Sequence, residues 1–149
     1  MMSKDSAIQL QHFIDAQESI YVNVLRELKQ GEKVSHWMWF IFPQIAGLGY
    51  SPSAIKFAIE SEEEAKAYLA HPILGERLKI CTQLVNEIVG RSAYQIFGHI
   101  DALKFRSSMT LFNYIDKHNP IFEQALIKYY DSKPDQLTLK ILKEIRTTD

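Results

Sequence analysis

Two short stretches of the sequence carry more polar chemistry than packing alone requires, and the first spans residues 35–44. It places both tryptophans of the chain, Trp37 and Trp39, between His36 and Gln44. A tryptophan combines a large apolar face with a polar edge, so such a cluster either anchors a core or walls a pocket for a planar or sugar-like ligand. In a pocket, a tryptophan would stack on the ligand and Gln44 would hydrogen-bond it. His36 would be the catalytic acid or base, because imidazole exchanges protons near neutral pH.

The second stretch spans residues 101–112. On a helix, one side of this stretch carries Asp101, Lys104, Ser107 and Ser108. A lysine amine next to two hydroxyls could hold an anion or a phosphate group. The alternative is that Asp101 and Lys104 form an exposed ion pair and that the serines are ordinary surface residues.

Two further residues are weaker additions to a ligand site. His71 precedes Pro72, and Arg77 lies in the first turns of the helix that follows. Both residue types also serve capping or surface roles at such positions. The acidic run after Ser61 has a similarly plain interpretation, because a serine hydroxyl followed by carboxylates is typical of a helix start.

Most catalytic and metal-binding signatures are absent from the sequence. The glycines at 47 and 49 lack the third glycine of a dinucleotide fingerprint, and no phosphate-binding loop is present. The histidines show neither the i, i+4 pairing nor the neighbouring cysteines that zinc sites favour, so we expect no metal site. Cys81 lies on an apolar helical stripe, where a thiol is inert, so we expect it to be structural. The sequence does not identify a cofactor, and it does not indicate an oligomeric state.

The elements that must position these residues are helices. Apolar residues recur at helical spacing through most of the chain, and no stretch alternates as a strand does. The N-terminal region, with a possible cap at Asp5 or Ser6, is one long helix or two short ones. The clearest stripe is that of Leu74, Leu78, Cys81, Val85 and Ile88. Other stripes contain Ala102, Phe105, Met109 and Phe112, then Phe122, Ala125, Leu126 and Tyr129, and finally Leu137, Ile141 and Ile145. We predict an all-α fold, a compact single-domain bundle of six or more helices spanning residues 1–149.

Composition narrows the range of partners. Seventeen Lys and Arg against eighteen Asp and Glu give a net charge of −1, without the basic excess of a general nucleic-acid binder. The longest apolar run, residues 37–42, is far shorter than the roughly 20 residues that cross a bilayer, and no export signal is visible, so we expect no membrane partner. One cysteine cannot form an internal disulfide, which suits a reducing compartment. These features predict a cytoplasmic protein.

Three strings in order identify a resemblance: SHWMWFIFPQIAGLGYSPSA at 35–54, AYLAHPILGERL at 67–78 and IFGHIDALKFRSSMTLF at 96–112. Together they resemble a bacterial family known as domain of unknown function 1810. The resemblance implies a compact all-helical domain and no particular activity. Members often carry the name calpastatin in genomes, which does not suit a chain with a core, because an inhibitor of that kind is extended and disordered.

The residues favour one hypothesis, which is that the domain binds or turns over a small anionic or phosphorylated molecule, such as a nucleotide or sugar derivative. The competing hypothesis is a protein-interaction module without catalysis. A buried polar group without a partner costs roughly 1–3 kcal/mol, so something must satisfy the polar groups of residues 35–44. We therefore predict that the two stretches pack together around a cleft lined by His36, Trp39, Gln44, Lys104 and Ser108.

Overall fold

Apolar residues at helical spacing build ten helices in a computed structural model that describes residues 8–148. These are α1 Gln11–Glu18, α2 Tyr21–Gln30, α3 Met38–Ile41, α4 Pro52–Lys56, α5 Glu62–Ala70, α6 Leu74–Glu87, α7 Ala93–Phe97, α8 His99–Ile115, α9 Ile121–Tyr130 and α10 Gln136–Thr148. Within the described residues, the β structure is one isolated parallel bridge between Ile45 and Ile59. The all-α prediction is confirmed. The possible cap at Asp5 or Ser6 lies outside the described residues.

Serine hydroxyls set the start of several helices. The Ser61 hydroxyl accepts the backbone N–H of Glu64 at 3.1 Å, which confirms the predicted start of α5. Ser51 caps α4 in the same way. Ser92 and Gln95 form a reciprocal capping box at α7. The acidic run is therefore the first turn of a capped helix, where carboxylates meet the positive end of the helix dipole.

Helix α8 lies in the middle of the bundle and packs against α3, α5, α7, α9 and α10. Its predicted stripe of Ala102, Phe105, Met109 and Phe112 is fully buried. The stripe of α6 is buried as well, although the helix ends at Glu87, three residues before Gly90. Helices α5 and α6 approach so closely at Gly75 that only a glycine fits there. A Cβ atom on Gly75 would lie 2.0 Å from the carbonyl oxygen of Leu69.

The buried face of α10 agrees with the predicted one at two positions and differs at the third. Ile141 and Ile145 pack against the core as predicted. Leu137 is half exposed, whereas Thr138 and Leu142 are completely buried. The Asp135 carboxylate accepts both the backbone N–H and the hydroxyl of Thr138, so the buried threonine is fully satisfied. Thr138 thus occupies the buried side of the first turn, and its neighbour Leu137 faces outward. No helix in the described part of the chain is long and apolar enough to cross a membrane.

Candidate functional site

A buried carboxylate organises the first polar stretch. Glu27, at the end of α2, is 3% exposed. One of its carboxylate oxygens accepts the backbone N–H groups of Val34 and Ser35 and the indole N–H of Trp37, at 2.8, 3.0 and 2.8 Å. The other oxygen accepts the Ser35 hydroxyl at 2.6 Å. Burial alone would raise the pKa of Glu27, but these hydrogen bonds outweigh burial and lower the pKa to about 2.

The hydrogen-bonded Glu27 carboxylate, which we call the Glu27 anchor, determines which of the two tryptophans is available to a ligand. Trp37 points into the core, is completely buried, and donates its indole N–H to Glu27. It therefore cannot stack on a ligand from solvent, contrary to its predicted role. Trp39 is only partly buried and lies on the outer side of the short helix α3.

The two polar stretches are in contact, as predicted. The ammonium of Lys104 lies 3.6 Å from the centroid of the Trp39 ring. Such a cation–π contact contributes roughly 0.5–2 kcal/mol, depending on how far the pair is removed from water. Lys104 also pairs with one oxygen of Asp101 at 3.3 Å, while Lys33 pairs with the other at 2.8 Å. Two ammonium groups thus share one carboxylate above an aromatic ring.

A concave surface lies beside this contact, and we call it the Trp39 cleft. Its volume is about 260 Å³. Four of the predicted site residues line it, namely Trp39, Gln44, Lys104 and Ser107. The rest of its lining is Leu48, Gly49, Ile100, Leu103, Asp135 and Leu137. The lining is mostly apolar, with one amide, one cation and one carboxylate placed around it.

The main chain of Gln44 is fixed independently of its side chain. The Gln44 carbonyl accepts the backbone N–H of Ile59 at 2.9 Å, and the Ile59 carbonyl accepts the N–H of Ala46 at 2.8 Å. These bonds form the isolated bridge that joins residues 44–46 to the segment before α5. The amide of Gln44 is thereby held at the wall of the Trp39 cleft.

The two serines of α8 are buried rather than exposed. Ser107 lines the Trp39 cleft and donates its hydroxyl to the carbonyl of Leu103 at 3.2 Å. Ser108, which we predicted to line the cleft, is completely buried, is not among the lining residues, and its hydroxyl has no hydrogen-bond partner. The middle of α8 is covered on several sides, so its predicted polar side does not reach solvent beyond Ser107.

His36 does not join the cleft either. Its side chain is exposed, and it is not among the lining residues. The residues on either side of it, Ser35 and Trp37, both donate hydrogen bonds to Glu27. The predicted catalytic acid or base therefore faces solvent.

His71 and Arg77 lie elsewhere in structural roles. His71 Nδ1 accepts the backbone N–H groups of Ile73 and Leu74 and so caps the start of α6. The Arg77 guanidinium donates to Gln17 and to Glu18, and it lies 4.5 Å from the centroid of the Tyr21 ring.

The comparisons with known proteins agree with the helical fold. A family model described as "Protein of unknown function (DUF1810)" matches residues 7–142. The chain belongs to this family. The chain is also similar to a solved crystal structure, that of the conserved hypothetical protein Rv1873 from Mycobacterium tuberculosis, with 48% sequence identity and a TM-score of 0.91. The match covers 92% of this chain and 98% of the neighbour. A search of curated proteins finds no significant match.

Cys81 of this DUF1810 chain lies apart from the Trp39 cleft. Burial raises the pKa of the Cys81 thiol to about 12, so the thiol stays protonated at neutral pH, as expected of a structural cysteine. Among the residues that the structure describes, no three His, Cys, Asp or Glu side chains are grouped as metal ligands would be.

Sequence reasoning missed part of the Trp39 cleft. Asp135, which lines the cleft, and Lys33, which pairs with Asp101 beside it, were not predicted to act there, because both come from loops that only the folded chain brings to α8. The apolar lining was missed for another reason. Ile100, Leu103 and Leu137 are exposed residues on helices whose other apolar residues are buried. The spacing of apolar residues in the sequence does not show which of them are exposed.

Proposed function

We propose that this domain binds a small anionic or phosphorylated molecule with a planar or apolar body in the Trp39 cleft. The observation that carries the proposal is the position of the Lys104 ammonium, 3.6 Å from the Trp39 ring centroid and at the wall of a concave surface. A cation held in this way can meet an anion without first being ordered, which lowers the entropic cost of binding.

The placement of the charges, rather than their sum, supports an anion. Asp101 is the carboxylate paired with Lys104, but it is also paired with Lys33 at a shorter distance. Lys33 and Lys104 are balanced in number by Asp101 and Asp135, but the Asp135 carboxylate is turned to the backbone N–H and the hydroxyl of Thr138. Lys104 is therefore the cation in the lining that a ligand can meet. A phosphate or carboxylate group of a ligand would accept a charge-assisted hydrogen bond from the Lys104 ammonium.

The remaining lining supports a compact body attached to that anionic group. Leu48, Leu103 and Leu137 present apolar surface, and the Gln44 amide offers both a donor and an acceptor. A volume of about 260 Å³ is slightly below the usual range for drug-sized ligands, so the ligand is expected to be one ring with one anionic group. Sugar phosphates have this chemistry, and a nucleoside monophosphate carries the same anionic group on a larger body.

The Trp39 cleft is proposed to bind the anionic molecule and not to catalyse a reaction on it. His36, the residue expected to move protons, is exposed outside the Trp39 cleft. Among the cleft's lining residues, Lys104 and Asp135 are the ionised groups, and the contacts described above already engage both.

A thermal-shift experiment tests this proposal with four probes: AMP, adenosine, ribose 5-phosphate and ribose. The phosphorylated probes are expected to raise the melting temperature, because a ligand at 100 times its dissociation constant stabilises by about 2.7 kcal/mol. Lys104→Ala should abolish the shift, whereas the matched control Lys29→Ala, an exposed lysine on α2, should keep it. An unchanged shift in Lys104→Ala would refute the site.

One observation favours a second candidate, the protein-interaction module. Ile100, Leu103 and Leu137 border the Trp39 cleft and are 67%, 46% and 50% exposed. Adjacent exposed apolar side chains are typical of a surface that binds another protein. If Leu103→Ser weakens binding of a partner protein while no phosphorylated probe shifts the melting temperature, the second candidate replaces the first.

A further inference from the structure

A larger cavity lies between the C-terminal end of α8 and helix α10, and we call it the Tyr114 cavity. Its volume is about 600 Å³. Tyr114 and Lys117 line it from α8 and the turn after it. Gln136, Lys140 and Lys143 line it from α10, where spacings of four and three place them on one face. Arg146 continues that face. None of these residues lines the Trp39 cleft.

The charge around the Tyr114 cavity is strongly one-sided. Lys117, Lys140, Lys143 and Arg146 line it, and Lys66 lines a smaller cavity of about 280 Å³ that shares Tyr114, Lys117 and Arg146. Among the lining residues of both cavities, Glu62 is the acidic one. Five cations and one carboxylate give a local charge of 5 − 1 = +4, in a chain whose net charge is −1. Such a concentration attracts anions from solution.

The floor of the Tyr114 cavity is apolar and aromatic. Tyr114 and Leu139, both partly buried, form this floor, while Lys117, Lys140 and Lys143 are exposed at the rim. The Arg146 guanidinium lies 5.7 Å from the centroid of the Tyr114 ring and pairs with Glu62 at 3.2 Å. Burial and the nearby Glu62 carboxylate raise the pKa of Tyr114, so its ring stays neutral at physiological pH. An apolar aromatic floor below a cationic rim matches a ligand with a planar ring and several phosphates.

We infer that the Tyr114 cavity is a second binding site, which takes a nucleoside di- or triphosphate. The phosphates would lie against Lys117, Lys140 and Lys143, and the base would lie on the Tyr114 ring. A nucleoside triphosphate carries about four negative charges, which balances the local charge of the two cavities. A concave site of this volume holds a whole nucleotide, within the usual range for small-molecule sites. This site is independent of the proposed Trp39 cleft.

Isothermal titration calorimetry with ATP at 0.15 M salt tests the inference, with AMP, adenosine and tripolyphosphate as comparison probes. We expect ATP to bind more tightly than each of these, because it has both the ring and the full set of phosphates. The variant Lys140→Gln/Lys143→Gln should weaken ATP binding by about tenfold or more, the loss that corresponds to one charge-assisted hydrogen bond. Both lysines are exposed, so the variant should fold normally.

The matched control is Lys29→Gln/Lys79→Gln, which removes the same charge away from the Tyr114 cavity and should bind ATP as the unaltered chain does. Tyr114→Leu keeps an apolar side chain but removes the ring, and it should lower the preference for ATP over tripolyphosphate. Equal ATP binding by the test and control variants overturns the inference. Tighter binding of a 20-nucleotide single strand than of ATP also overturns it, in favour of a nucleic-acid surface.

Discussion

The Trp39 cleft and the Tyr114 cavity both present cations to solvent, but they hold them in different ways. Lys104 is stacked on Trp39, shares Asp101 with Lys33, and has a side chain only 20% exposed. At the Tyr114 cavity, Lys140 and Lys143 are exposed at the rim, and the side chain of Arg146 is 65% exposed. The cleft has one cation whose position is fixed by a ring and a carboxylate, whereas the cavity concentrates several cations on exposed side chains.

This difference predicts two kinds of recognition. A cation held in one place by packing selects a ligand by shape, and little ordering is lost when the ligand binds. Several exposed cations select by total charge, and salt weakens them because exposed charges are screened over about 8 Å at physiological ionic strength. The Trp39 cleft is therefore expected to discriminate among ligands of the same charge, and the Tyr114 cavity among ligands of different charge.

The largest expected effect comes from removing the anchor behind the Trp39 cleft. Glu27→Ala leaves two backbone N–H groups and the buried Trp37 indole N–H without their acceptor. An unsatisfied buried group costs about 1–3 kcal/mol, so we expect the free energy of unfolding to fall by about 3–5 kcal/mol in urea denaturation. Glu32→Ala, an exposed carboxylate nearby, should change it little. A loss below about 1 kcal/mol for Glu27→Ala would show that the loop does not depend on this carboxylate.

The same anchor predicts a pH dependence. The pKa of Glu27 is lowered from 4.5 to about 2, so its ionised form stabilises the fold at every pH above about 4.5. That stabilisation, of the order of 3 kcal/mol, is lost as the pH falls from about 4.5 to about 2, because each pKa unit corresponds to about 1.4 kcal/mol. Glu27→Gln should remove this part of the acid sensitivity, as followed by urea midpoints between pH 5 and pH 2. Parallel acid curves for the two proteins would contradict the prediction.

A smaller effect on stability is expected at Lys104. Lys104→Ala removes the contact with Trp39 and one of the two ion pairs of Asp101, while Lys33 remains to pair with that carboxylate. We expect the free energy of unfolding to fall by about 1 kcal/mol, the usual contribution of a partly exposed cation–π contact. Lys104→Arg should retain most of it, since a guanidinium also stacks on aromatic rings. If Lys104→Ala unfolds the chain, the residue is part of the scaffold and the comparison between the two regions fails.

The smallest stability effect is expected at the Tyr114 cavity. Lys140→Gln/Lys143→Gln should leave the urea midpoint within the equivalent of about 0.5 kcal/mol, as exposed surface substitutions usually do. The variant could even be slightly more stable, because it reduces repulsion among neighbouring cations. ATP binding to the unaltered chain should weaken steeply between 0.05 and 0.5 M salt. Binding that is insensitive to salt would show that these cations do not select by charge.

Much of the helical scaffold could be predicted from the sequence, because its signals are local. The start of α5 at Ser61 follows from a hydroxyl three residues before a free backbone N–H, and the stripe of α6 follows from a repeat of three and four. The contact between the two polar stretches was also predictable, since each had polar groups that needed partners. These inferences require only the properties of neighbouring residues.

The division of roles within residues 35–44 could not be predicted in the same way. Six consecutive apolar residues have no periodicity, so nothing in their order separates the buried Trp37 from the partly exposed Trp39. The deciding partner, Glu27, belongs to another helix. The Tyr114 cavity was missed for a different reason. Lys140, Lys143 and Arg146 share one face of α10, which their spacing indicates, but Tyr114 and Lys117 join them only once α8 and α10 are packed together.

The bridge between Ile45 and Ile59 has a consequence for how the Trp39 cleft can diverge among related proteins. Gln44 is held through its carbonyl oxygen, an atom that every amino acid possesses. Exchanging the side chain at this position therefore alters the chemistry of the cleft wall while the chain path stays the same. Position 44 is a place where ligand preference can evolve without a change in the scaffold, and Gln44→Glu or Gln44→Leu would reproduce one such step.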